Sequence, residues 1–157
     1  TITTKTPSKP SKEQLINQAF NFHSQGNMKK AAKYYQSFID QGFNDHRVLS
    51  NYGVILKDHG KYQEAELLLR KAIDLNPDFA GAYYNLGIVL KARNKLNESI
   101  YFYQKAIDIQ KGFKEAVAEM GIIMTLKGNY KEGLKKIKEG YGSIIFDHIT
   151  PAMRIEV

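Results

Sequence analysis

Apolar positions in this chain follow a short helical step nested inside a longer step of 34 residues. Residues 12–45, 46–79, 80–113 and 114–147 can be set in register without an insertion. Within each stretch the fourth, seventh, eighth and eleventh columns fall on one face of a helix, the i, i+3, i+4, i+7 pattern. Column four reads Leu15, Leu49, Tyr83, Val117, and column eleven reads Phe22, Leu56, Leu90, Met124. Columns seventeen, twenty, twenty-four and twenty-seven repeat the pattern for a second helix; column twenty-four reads Tyr35, Leu69, Tyr103, Ile137. Many matching columns at one fixed period mark a repeat array, which has to be recognised before any other fold is considered.

The residues between the helices agree with this division. Column fifteen holds Gly26, Gly60, Asn94 and Gly128, where the chain must reverse. A left-handed backbone costs least for Gly, and Asn comes next. Column eight holds Ala19, Gly53, Gly87 and Gly121, small enough for the paired helix to come close. Ser11 with Gln14 has capping-box spacing, Asp45 and Asp78 precede later helices, and Pro77 stops the helix before it.

These residues resemble the tetratricopeptide repeat. Tyr83-x2-Leu86-Gly87-x2-Leu90, Ala72 and Pro77 sit on its signature positions. The resemblance covers 12–147, closest in the second and third units, with departures at Gln18, Phe38, Gly133 and Gly140. It implies an all-α, right-handed solenoid of four helix-turn-helix repeats. Gly inside a helix costs about 0.5–1 kcal/mol relative to Ala, so the last helix is expected to be short and to fray near 139.

Both ends are expected to differ from the array. Residues 1–11 read as a disordered lead-in with two prolines. Residues 143–147 and the tail 148–157 contain strand-like runs around Thr150-Pro151, suggesting a hairpin or the start of a further domain.

Composition narrows the function. The chain has 157 residues, no cysteine and a net charge of +7. Thiolate metal sites, thiol nucleophiles and disulfides are excluded. No apolar run has the length of a membrane span, and the N-terminus has no signal-like core, so a cytoplasmic protein is expected. The four histidines offer no helical metal pair, and no nucleophile elbow or phosphate loop is present. No catalytic residue, cofactor or metal is therefore expected. The positive charge is spread rather than striped; repeats from first to last carry +1, 0, +3 and +1. Nucleic acid is not the expected partner. The cluster Lys131, Lys135, Lys136 and Lys138 is interleaved with Glu132 and Glu139 and reads as a solvated face.

The resemblance further implies that the first helices line a concave groove. Column six places Asn17, Asn51 and Asn85 there, with Glu119 in the fourth unit. Each asparagine amide has a donor and an acceptor, matching a peptide group. This arrangement is similar to the Asn ladders of the O-linked N-acetylglucosamine transferase superhelix and of armadillo proteins. Column nine supplies Phe20, Val54 and Ile88 for apolar side chains. Lys57 and Lys91 in column twelve suit acidic side chains of the partner. Ile16 and Phe20 stand where the family's carboxylate clamp would want a basic residue and Asn.

The expected function is a non-catalytic module binding a peptide or protein segment in the groove. Alternatives are a targeting arm of a larger glycosyltransferase, sulfotransferase or oxygenase, and a homo-oligomeric scaffold joined through its uncapped C-terminal repeat.

Overall fold

The computed structural model describes residues 9–142 as eight α-helices, with no strand among the described residues. They are α1 (Lys12–Ser24), α2 (Met28–Asp40), α3 (His46–Asp58), α4 (Tyr62–Leu75), α5 (Ala80–Ala92), α6 (Leu96–Ile109), α7 (Lys114–Leu126) and α8 (Tyr130–Tyr141). The odd-numbered helices begin at 12, 46, 80 and 114, the 34-residue step of the sequence pattern. The expected strand-like segments at 143–147 and 148–157, and residues 1–8 of the lead-in, lie outside the described residues.

Local signals act where the sequence places them. Ser11 Oγ accepts from Gln14 N (3.2 Å) while Gln14 Oε1 accepts from Ser11 N (2.8 Å), closing the capping box of α1. Asp45 caps α3 by accepting from Arg47 N (2.9 Å). Phe79, one residue beyond Asp78, is the N-cap of α5. The column-fifteen turns all have positive φ: 72° at Gly26, 74° at Gly60, 59° at Asn94 and 86° at Gly128.

Two compact units meet in sequence between Pro77 and Asp78. In the first, α1 pairs with α2 and α3 with α4, and α2 packs on α3. Its core gathers Leu15, Ala19, Ala31, Tyr35, Phe38, Val48 and Ile55, all buried. In the second, α5 pairs with α6 and α7 with α8, and α6 packs on α7. Tyr103, Ala106, Ala116, Met120 and Ile123 form its buried cluster.

One expectation is corrected. The last helix does not fray near 139; it continues to Tyr141, and Gly142 closes it in the left-handed conformation (φ 76°). Its glycines are sites of close helix approach. A Cβ on Gly133 would stand 2.8 Å from Gly121 O, and one on Gly140 would stand 2.8 Å from Ala118 N. Backbone contact between α7 and α8 replaces the side-chain packing that alanine provides elsewhere.

Candidate binding face of the first helices

The three column-six asparagines occupy different environments. Asn17 is exposed, while Asn51 and Asn85 are half-buried. Asn51 Nδ2 donates to Tyr35 Oη (3.3 Å). No hydrogen bond occupies Asn17 or Asn85 among the described residues, so both amides retain their donors and acceptors.

The column-nine residues Phe20, Val54 and Ile88 are half-buried. Phe20 leans on the core of the first unit, edge-on to Tyr35 at 6.1 Å between ring centroids, with the Arg47 guanidinium 5.5 Å from its ring. Ile88 packs against the core cluster of the second unit. Part of this apolar stripe thus belongs to the fold, and part faces outward.

The two lysines already have carboxylate neighbours. Lys57 Nζ lies 3.0 Å from Asp58 Oδ1, whose side chain is 60% exposed. Lys91 Nζ pairs with Glu119 Oε2, whose side chain is only 14% exposed. An exposed pair contributes little and exchanges readily, so Lys57 can meet another acid at small cost. Lys91 is bound more tightly, because Glu119 would be left half-buried and unpaired.

Columns twelve, twenty-four and six form a trio that recurs once in each unit. In the first unit it is His23, Tyr35 and Asn51. Tyr35 Oη lies 2.9 Å from His23 Nδ1. Since Asn51 donates to this oxygen, the tyrosine proton is free to go to Nδ1. Burial raises the Tyr35 pKa, and the Asn51 bond offsets part of that rise.

In the second unit the trio is Lys91, Tyr103 and Glu119. Here the outer members bind each other, and the fully buried Tyr103 hydroxyl has no hydrogen-bond partner. The nearby Ser99 hydroxyl gives its proton to Gly87 O (2.7 Å). Tyr84 is pushed up to about 12, first by burial and then by the Glu119 charge, with smaller contributions from Tyr141 and Glu115. Burial, Glu119 and Glu115 also raise Tyr141. Burial and then Glu119 raise Tyr103 most of all, and the neighbouring Ser99 side chain offsets part of that rise.

A pH dependence follows from these shifts. The unfolded chain releases tyrosine protons near pH 10, whereas the folded chain holds the Tyr84 proton to about 12. The associated stability is therefore complete below pH 10 and is lost as pH rises from 10 to 12. Urea midpoints measured across that window should fall, and should fall less in Tyr84→Phe.

The sequence reading overlooked Tyr84, Tyr103, Glu119 and Tyr141 as a group. A signal was available: the fourth unit replaces column-six Asn by Glu119, and the preceding unit carries Lys91 in column twelve. The fixed register brings these two columns together, as it brings His23 and Asn51 to Tyr35. No group of residues among those described is suited to hold a metal ion. No described helix is long and apolar enough to cross a membrane.

Residues 53–92 match the profile described as TPR repeat, and residues 79–111 match that of the Tetratricopeptide repeat. No curated protein sequence matches the chain. Among solved structures, MamA is 26% identical with a TM-score of 0.76, covering 84% of this chain and 77% of its own. MamA from Desulfovibrio magneticus RS-1 is 20% identical with a TM-score of 0.75, covering 84% and 75%. YrrB, described as a TPR protein with an unusual peptide-binding site, is 17% identical with a TM-score of 0.75, covering 88% and 71%. These likenesses establish the all-α class of helix-turn-helix solenoids.

Proposed function

Because this chain is a tetratricopeptide repeat protein, we propose that it binds a peptide or protein segment along the face of its first helices. Proteins built from such repeats generally act as interaction modules rather than catalysts. MamA and YrrB share the fold, and the peptide-binding site described for YrrB agrees with this reading.

The observation that carries the proposal is the unused hydrogen-bonding capacity of Asn17 and Asn85 beside a half-buried apolar stripe. An amide that offers both donor and acceptor pairs with a backbone peptide group without reading its side chain. Asn51 supplies its carbonyl oxygen while its Nδ2 stays on Tyr35. Val54 and Ile88 contribute apolar contact, and Lys57 accepts an acidic side chain in exchange for Asp58.

The test uses random 12-residue peptides displayed on phage and selected on the intact chain. Asn17→Ala combined with Asn51→Ala, both within the first unit, removes two hydrogen bonds of about 0.5–1.5 kcal/mol each. Selected peptides should therefore bind the double variant roughly 5- to 150-fold more weakly. Thermal melting of the variant checks that the fold is retained. Unchanged affinity would reject the asparagine contacts.

A further inference from the structure

We propose that two copies of this chain pair through the first unit, with α4 antiparallel to the partner's α4 and each Leu67 seated in a cleft of the other copy. All the residues concerned lie within the first unit. The contact goes beyond the peptide-binding reading and uses a different face. Leu67 is 70% exposed, the most of any large apolar side chain among the described residues. Helix packing does not require an apolar residue there. Column twenty-two reads Lys33, Leu67, Tyr101 and Lys135, and column twenty-three reads Tyr34, Leu68, Phe102 and Lys136. The repeat thus accepts lysine at both places. A lone exposed leucine is ordinary, but this one forms the wall of an apolar cleft.

The cleft measures about 150 Å³. Ile39 of α2, Tyr52 and Leu56 of α3, and Leu67 and Leu68 of α4 line it, together with Gln36 and Glu64. Its polar groups serve one another. Tyr52 Oη donates to Gln36 Oε1 (2.8 Å), and Gln36 Nε2 donates to Asp40 Oδ1 (2.7 Å). What the cleft offers an occupant is therefore mostly carbon. An apolar cavity of about this size admits a benzene-sized group, so a leucine side chain enters it.

A knob and a hole on one face are what a two-fold contact uses, because each copy supplies both. The charges beside the knob set the direction. On α4, Glu64 stands three residues before Leu67 and Lys71 three residues after Leu68, and both are exposed. These four positions share one side of the helix. An antiparallel partner centred between Leu67 and Leu68 sets Glu64 opposite the partner's Lys71, and Lys71 opposite the partner's Glu64. A parallel partner in register would set like charges together. Glu64 gives up only its exposed contact with Lys61, which contributes little. Asn17, Asn51 and Val54 take no part, so the dimer presents the face of its first helices twice.

Sedimentation equilibrium of the intact chain, from about 10 µM to about 1 mM, reads the association. At about 0.15 M salt, repulsion between two copies of net charge +7 is screened beyond about 8 Å. A monomer–dimer equilibrium is expected. Leu67→Glu should raise the dissociation constant at least about tenfold. Lys135→Glu, at the same column of the fourth repeat, should leave it unchanged. Glu64→Lys should weaken the dimer severalfold, and adding Lys71→Glu should restore it, since the exchanged charges again face each other. All these positions are exposed, and circular dichroism checks that each variant stays helical. A chain that is monomeric throughout, a dimer indifferent to Leu67→Glu, or a charge exchange that restores nothing would overturn the pairing. A monomeric chain in which selected phage peptides shift the Leu67 and Leu68 amides would give the cleft to a peptide instead. The Leu67→Glu variant should still bind peptides at Asn17, Asn51 and Val54, so the pairing and the binding face can fail separately.

Discussion

Gly140→Ala is expected to destabilise the protein by about 1–3 kcal/mol, the usual cost of forcing volume into a packed site. The sign is opposite to that of an ordinary helix interior, where the same change gains roughly 0.5–1 kcal/mol. The difference lies in what the new methyl group meets. At Gly140 it would press on the carbonyl oxygen of Lys114 and on both the nitrogen and the Cβ of Ala118. These atoms belong to the backbone of α7 or are fixed to it, so no rotamer change relieves the contact. The helices would have to separate, which loosens the pairing of α7 with α8. Urea denaturation should show a lower midpoint for Gly140→Ala. A control at Lys135→Ala, on the exposed face of α8, should lie within about 0.5 kcal/mol of the parent.

The second large effect is a reversal of sign between two tyrosines in the same column. Tyr103→Phe is expected to stabilise the protein by about 1–3 kcal/mol, because it removes a buried hydroxyl that has no partner. Tyr35→Phe is expected to destabilise by about 1–2 kcal/mol, because that hydroxyl joins His23 and Asn51 across two repeats. Both rings are fully buried, so hydrophobic burial is the same in each comparison. Equilibrium denaturation of the two variants side by side isolates the hydroxyl. Equal and unfavourable changes in both would show that Tyr103 has a partner in solution.

The fold was legible in the sequence wherever the chain obeyed one rule per column. The turns at Gly26, Gly60, Asn94 and Gly128 needed only the local cost of positive φ, and the four positions carry it. The helix starts at Lys12 and His46 followed from Ser11 and Asp45. Gly133 and Gly140 were misread because helix propensity is a local quantity, whereas their role is set by the atoms of α7 that face them. The binding face was legible in part. Column positions identified Asn17, Asn51 and Asn85, but which amides remain free depends on the neighbouring repeat. Asn51 finds Tyr35 in the repeat before it, while no hydrogen bond among the described residues occupies Asn85. Lys91 shows the same limit: its sign was plain in the sequence, but Glu119, 28 residues on, decides what that charge can do.

The account stands on the first helices being the surface that receives a partner. Its most direct test is to titrate one phage-selected 12-residue peptide into the labelled chain and map the amide shifts onto the helices. Shifts are expected on the odd-numbered helices of the unit the peptide occupies, α1 and α3 with Asn17, Asn51 and Val54 for the first unit, and their loss in the Asn17→Ala, Asn51→Ala chain. Shifts confined to the outer residues of α2, α4, α6 and α8, such as Leu67 and Tyr101, would contradict it.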